Sequence, residues 1–232
     1  MSNLPIVLIP GLNCTASVFA GQVPPLWQVG PVTVANHLEG EGVVGMAAAI
    51  LRDAPPAFAL LGFSLGGYLA FEIVRQAPER VLKLCLLDTS ARPDTPDSTA
   101  KRRERMALAE AGRFAETADA AFELSVHPDH AGRTKLRAQC VGMALENGAA
   151  AFVRQQQAII ARPDSRPTLA QIRVPTTVIV GDKDAITPPE VAREMADGIV
   201  GARLLMIERA GHMAAIEQPA AVAAAMMGWV RG

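Results

Sequence analysis

Ala57-Phe58-Ala59-Leu60-Leu61-Gly62-Phe63-Ser64-Leu65-Gly66-Gly67-Tyr68-Leu69-Ala70 is the most informative stretch of the chain. The apolar run Ala57 to Leu61 leads into Gly-x-Ser-x-Gly, and a helix-like pattern from Gly66 to Gln76 follows. A strand, a sharp turn and a helix in that order can present a serine hydroxyl clear of a sheet edge. The glycines have a steric reason: side chains at 62 and 66 would collide with neighbouring strand and helix. At the helix start the Leu65 N–H has no intrahelical partner, and the dipole there favours negative charge. The bland alternative is a glycine-rich turn with an idle serine. A phosphate-binding loop fits this turn worse, because its glycines at 62, 66 and 67 match neither Gly-x-x-x-x-Gly-Lys-Ser/Thr nor Gly-x-Gly-x-x-Gly.

Outward from this turn, short apolar runs alternate with helix-like segments. Leu4 to Ile9, Val81 to Leu87, Thr176 to Val180 and Arg203 to Ile207 read as strands, with Val32 to Ala35 a weaker member. Continuous apolar runs bounded by Gly, Pro or Asp suit strands buried on both faces of a parallel sheet. Val43 to Arg52, Pro189 to Ala196 and Gln218 to Val230 read as helices. The alternation predicts an α/β fold of right-handed βαβ units. One stretch breaks it: Asp97 to Ala161 holds no strand, only helical pieces at Lys101 to Ala111, Phe114 to Leu124 and Arg133 to Ile160. The expected organisation is a core of residues 1–96 and 162–232 with a helical insertion, 97–161. Lys101-Arg102-Arg103-Glu104-Arg105 reads as a solvated helix face rather than a nucleic-acid patch.

A serine hydroxyl needs a base to take its proton. Of the 4 histidines, His212 follows the last strand-like run, where a loop reaches the C-terminal edge of the sheet. Gly211 would let that loop bend close. The imidazole in turn needs an anion to fix its tautomer. Val178-Ile179-Val180-Gly181-Asp182-Lys183-Asp184 offers two after the preceding strand, and Asp184, deeper in the loop, is preferred. Asp182 reads as a turn or solvent residue, and Asp88 as a turn cap with Thr89 and Ser90. Ser64, Asp184 and His212 then form the candidate triad, each after a strand. Acyl transfer also needs donors aimed at the developing oxyanion. The loop Pro10-Gly11-Leu12-Asn13-Cys14, after the first strand, supplies the Leu12 N–H to pair with that of Leu65.

Composition sets the outer bounds. With 50% hydrophobic and 19% charged residues, the 232-residue chain is globular rather than disordered. A formal charge of -1 leaves no footprint for nucleic acid or an anionic membrane, so a small-molecule substrate is the expected partner. The 3 cysteines, Cys14, Cys85 and Cys140, form no disulfide framework, and no CxxC pair suggests a metal or redox site. The start of the chain lacks a signal-peptide pattern, which gives a cytoplasmic expectation.

Taken together, Pro10-Gly11-Leu12, Gly62-Phe63-Ser64-Leu65-Gly66-Gly67, Gly181 with Asp184 and Pro188, and Gly211-His212 with Glu217-Gln218-Pro219 give the chain its likeness to a family. Over nearly its whole length it resembles the α/β-hydrolase superfamily, most closely the small capped esterases, lactonases and carbon–carbon hydrolases. The resemblance implies a mostly parallel sheet of about six strands flanked by helices. It makes 97–161 a lid inserted between the family's sixth and seventh strands. The oxyanion loop departs from the family's frequent His-Gly by carrying Pro10-Gly11, and the usual first hairpin has no counterpart. Serine at the turn disfavours haloalkane dehalogenase, which uses aspartate there.

The functional expectation is hydrolysis of a small carboxylic ester, thioester or lactone through an acyl-enzyme at Ser64, without metal or organic cofactor. Phe63, Asn13 and Cys14 are candidate substrate contacts. Carbon–carbon bond hydrolysis or a lyase reaction would use the same three residues. A non-catalytic ligand-binding protein of the same fold is the alternative of another class. His127-Pro128-Asp129-His130 lacks a third metal ligand and reads as structural or surface. Phe19, Trp27, Met143 and Phe152 are core residues first and pocket candidates second.

Overall fold

In the computed structural model, which describes residues 3–232, six strands form one parallel sheet. They are β1 (Ile6–Ile9), β2 (Val32–Val34), β3 (Phe58–Phe63), β4 (Val81–Leu87), β5 (Thr176–Gly181) and β6 (Arg203–Ile207). Their spatial order is β2-β1-β3-β4-β5-β6, every pair parallel. The chain leaves β1 toward one edge and β3 toward the other. The direction of winding therefore switches between these two strands, and a crevice opens at their C-terminal ends. Gly11 follows β1 and Ser64 follows β3, so both stand at that crevice.

The longer helices are α1 (Gly42–Asp53), α2 (Leu65–Gln76), α3 (Pro96–Leu108), α4 (Phe114–Ala120), α5 (Thr134–Ile160), α6 (Pro189–Gly198) and α7 (Pro219–Arg231). Strand side chains alternate between two apolar clusters, as the pleat requires. Val7, Ile9, Leu60, Leu84, Leu86, Val178 and Val180 face α1, α2 and α6. Ile6, Leu8, Leu61, Cys85, Leu87 and Ile179 face α7 and the residues Phe19 and Leu26. This two-sided burial is what the continuous apolar runs predict. The edge strands differ: β2 is only partly buried and β6 is largely exposed apart from Ile207. An edge position needs no second apolar face, so the strand-like reading was right there and the burial reading was not.

The chain between β4 and β5 is helical, with no strand from Pro96 to Ile160. A π-turn at Ala109–Arg113 joins α3 to α4, with Gly112 at φ 82°. The long α5 is broken at Gly148, whose φ of 82° and ψ of 165° are not helical. Ala109, Phe114, Ala118, Ala144 and Phe152 make a small core within this stretch, with the two phenylalanine rings 5.2 Å apart. Phe152 is thus a packing residue, as is Phe19 in the main core. Trp27 is neither a core residue nor part of the cavity over Ser64. It is 63% exposed, beside an open depression at Asn3 and Gly30 near the starts of β1 and β2, the edge opposite Ser64.

The close approach of β1, β3 and α2 depends on missing side chains. A Cβ on Gly66 would lie 2.2 Å from the Ile9 carbonyl oxygen, and one on Gly62 would lie 2.3 Å from the Gly66 carbonyl oxygen. These contacts are to backbone, which cannot swing aside. Gly66→Ala is expected to destabilise the fold by about 1–3 kcal/mol, read as a lower urea midpoint than wild type at an unchanged slope.

Candidate active site

Ser64 sits at φ 53°, ψ −114°, a conformation that an L-residue adopts only when its surroundings enforce it. Here they do. Its N–H donates to the Leu87 carbonyl at 3.0 Å, and its own carbonyl accepts from the Gly67 N–H at 2.9 Å and the Thr89 hydroxyl at 2.8 Å. Gly67 matters for the same reason, since a Cβ there would meet Thr89 Oγ1 at 2.3 Å. The sequence reading gave Thr89 only a part in a turn cap; its work on the Ser64 carbonyl depends on β3 and β4 being neighbours.

Three side chains distant in sequence meet above this turn. Ser64 Oγ lies 2.8 Å from His212 Nε2, and His212 Nδ1 lies 2.8 Å from Asp184 Oδ2. An ionised carboxylate only accepts, so Nδ1 carries the ring proton and Nε2 is free to accept from the serine hydroxyl. Asp184 also accepts from the Ile186 N–H at 2.8 Å, the Thr187 N–H at 2.9 Å and the Thr187 hydroxyl at 2.7 Å. Burial works against its charge, but the His212 ring and the hydrogen bonds from His212 and Thr187 outweigh it and hold the carboxyl below its usual range. Asp182 does not bond within its own turn as the sequence suggested; its side chain accepts the Ala210 N–H at 3.1 Å and ties this loop to the one after β6. Asp88 does not cap its own turn as the sequence suggested. It is fully buried and accepts the Gly181 N–H across the sheet at 2.8 Å. Burial, with the charge of Asp184 nearby, drives its carboxyl well above the usual range and favours its neutral form.

The loop after β1 lies against the serine: a Cβ on Gly11 would stand 3.1 Å from Ser64 Cβ. Helix α5 grips this loop on both sides of its break. The Gln155 side chain accepts the Asn13 N–H at 3.2 Å, and Asn147 donates to the Cys14 carbonyl at 3.0 Å. The Cys14 N–H donates to the Gly11 carbonyl at 3.1 Å. Neither the Leu12 nor the Leu65 N–H has an acceptor among the described residues. Asn147 and Gln155 carry no local sequence signal for such a role, because nothing in α5 says which loop it will meet.

Residues 53–219 match the model of a family described as alpha/beta hydrolase fold. The chain belongs to the α/β-hydrolase fold family. Among similar proteins, the pimeloyl-[acyl-carrier protein] methyl ester esterase of Neisseria meningitidis serogroup B (strain MC58) is 30% identical across 98% of this chain and 93% of its own. A thermophilic esterase from Thermogutta terrifontis, solved with malate bound, superposes with a TM-score of 0.89 at 26% identity, covering 99% of this chain and 90% of that one. The enol-lactonase from Burkholderia xenovorans LB400 shares the fold at a TM-score of 0.87 and 23% identity, covering 100% of this chain and 93% of that one.

In this hydrolase a cavity of about 370 Å³ opens over Ser64 and His212. Phe63, Phe122, Met143, Ile159 and Met213 give it an apolar lining. Asn13 and Cys14 also line it, so all three candidate substrate contacts face the cavity, and Met143 joins them. Cys14 is at the same time buried, and burial pushes its thiol up, which keeps it protonated. The basic run on α3 is not simply a solvated face: Lys101, Arg102 and Arg105 line the cavity, and no carboxylate does among the described residues. Arg102 is held by Asp94 at 3.2 Å and Gln156 at 2.8 Å. Asp94 is shared with Arg162 at 3.1 Å, and of the three cations lining the cavity Lys101 and Arg105 have no ion-pair partner among the described residues.

The His212 loop is fastened to the inserted helices. The Met213 N–H donates to the Ser125 carbonyl at 3.0 Å. Buried Glu217 accepts the Gly211 N–H at 2.8 Å, the His127 N–H at 2.7 Å and His130 Nδ1–H at 2.8 Å. His127 and His130 are therefore structural residues, buried rather than on the surface. Removing the carboxylate strands three donors away from water, each worth about 1–3 kcal/mol when left unpaired. Glu217→Ala is expected to lower stability by about 3 kcal/mol or more, measured by chemical denaturation. Glu217→Gln, which keeps one carbonyl oxygen, should lose less.

Proposed function

We propose that this hydrolase cleaves a carboxylic ester through an acyl-enzyme at Ser64. The observation that carries the reading is the connected line from Ser64 Oγ to His212 Nε2 and from His212 Nδ1 to Asp184, each link 2.8 Å, at the floor of a cavity. Ser64 Oγ attacks the ester carbonyl while its proton passes to His212 Nε2. The Leu12 and Leu65 amides, both without a protein acceptor, receive the charge that develops on the carbonyl oxygen. His212 then gives the proton to the departing alkoxide, and Asp184 stabilises the transient imidazolium. Water, deprotonated by the same imidazole, attacks the acyl-enzyme and releases the acid. The helices from Pro96 to Ile160 act as the cap that shapes the acyl pocket.

The cavity also narrows the substrate class. An apolar lining suits a short or medium acyl chain, and the unpaired Lys101 and Arg105 suit an anionic group at its far end. A methyl ester of a carried acyl chain, the substrate in the name of the Neisseria relative, belongs to the same broad class of ester. Carbon–carbon cleavage by the same three residues is the second reading, since motif and geometry serve both.

Ser64→Ala should reduce turnover of p-nitrophenyl butyrate by a factor on the order of 10⁶, and Asp184→Asn by roughly 10⁴. A fluorophosphonate should label Ser64 in the wild type. Retained turnover in the alanine variant, or no labelling, would sink the reading. Faster hydrolysis of a vinylogous diketone than of any ester would replace it with the carbon–carbon one. Among methyl esters of matched length, those ending in a carboxylate should be preferred over neutral ones. Arg105→Ala should raise KM for the carboxylate ester about threefold to tenfold and leave the neutral ester unchanged.

A further inference from the structure

His37 belongs to none of the groups described so far. It follows β2, the strand beside β1, and two of its features stand out: it is 3% exposed, and its Nε2 lies 3.0 Å from the Gly11 carbonyl oxygen. That carbonyl and the Leu12 N–H are the two ends of a single peptide group. The group is planar and trans, so the direction of one end sets the direction of the other.

We infer that His37 is a positioning residue for the oxyanion donor, aiming the Leu12 N–H at the substrate carbonyl by holding the opposite end of the same peptide. The inference rests on the acyl-enzyme reading of Ser64. Three observations support it. The peptide is at the reacting centre, because a Cβ on Gly11 would stand 3.1 Å from Ser64 Cβ and against the Phe63 ring. Of the amides that follow, those of Asn13 and Cys14 are already committed, to Gln155 and to the Gly11 carbonyl, which leaves that of Leu12. The Gly11 carbonyl accepts from both the Cys14 N–H and the His37 ring, so both of its lone pairs are engaged and the peptide has little freedom to rotate.

A carbonyl oxygen only accepts, so Nε2 must carry the proton that His37 donates. Burial pushes the imidazole down to about 4, which keeps the ring neutral at physiological pH. Donation into the carbonyl also polarises the peptide and makes its N–H a stronger donor. The family's oxyanion loop often starts His-Gly; this chain has Pro10-Gly11 there, and proline has no N–H with which to hold the loop. In this chain His37, from the loop after the neighbouring strand, holds that loop through the Gly11 carbonyl.

The test compares His37→Leu and His37→Gln with wild type, using p-nitrophenyl butyrate and a propyl trifluoromethyl ketone, whose hydrate-like adduct with serine carries an oxyanion. Loss of one oxyanion donor typically costs 10²–10³ in turnover. A misaimed donor should lose part of that, so His37→Leu is expected to lower kcat by roughly 10- to 100-fold with KM within about twofold. Ketone affinity should weaken by the same factor as kcat/KM. His37→Gln, whose amide can donate to the same carbonyl, should recover most of both. If the leucine variant does not fold, His37→Asn, with an amide one bond shorter, takes its place with the same expected loss. Unchanged kcat and ketone affinity in the leucine or asparagine variant would overturn the assignment. So would a fall in active-site titre with normal ketone affinity in the remaining folded protein, because that marks a purely structural role. The Ser64 reading fails separately, through wild-type labelling and the Ser64→Ala variant.

Discussion

A serine held at positive φ between glycines is the constraint from which the rest of the molecule follows. The backbone can keep that angle only because Leu87, Gly67 and Thr89 hold the Ser64 N–H and carbonyl from both sides. Leu87 and Thr89 are within reach only because β3 and β4 are adjacent and in register, with Phe63 beside Leu87. The turn in turn lets α2 begin against the end of β1, where the Ile9 carbonyl leaves no room for a side chain on Gly66. Local strain is therefore stabilised by long-range sheet order, and the sheet core that supplies it is buried on both faces.

Around that point the loops are held by side chains that have no direct part in the proposed chemistry. Thr187 saturates Asp184, Glu217 ties the Gly211 amide to the inserted helices, and Asn147 and Gln155 tie the loop after β1 to α5. The Asn147 and Gln155 bonds join segments far apart in the chain, as do those of Glu217 to His127 and His130, whereas the Thr187 bond is local. The consequence is a site whose polar groups are already aligned, with little reorganisation left for the reaction to drive. It also couples the site to the inserted helices, since both the His212 loop and the Leu12 loop are anchored there.

The cavity combines an apolar lining with cations on one wall. Arg102 is neutralised by Asp94, which also serves Arg162, and the Arg162 guanidinium stacks 4.4 Å over the Tyr68 ring. Lys101 and Arg105 line the cavity without an ion-pair partner among the described residues. The run that reads in sequence as a solvated face thus has two environments, because successive residues of a helix point in different directions.

By itself the sequence determined the alternation of strands and helices, the turn at Ser64 and the loops from which Asp184 and His212 project. These follow from local rules: apolar runs of strand length, glycines where backbones cross, and polar residues directly after strands. The family likeness followed from the same motifs in their order along the chain. Tertiary structure decided what depends on neighbours distant in the chain. It brought His37 to the Gly11 carbonyl, sent Asp88 across the sheet to Gly181, buried His130 on Glu217, exposed Trp27 and turned part of the α3 basic run inward. No local pattern encodes these, because hydrogen-bond partners and burial are set by which surfaces meet once the sheet has closed, and the sequence states only which residues are available to meet.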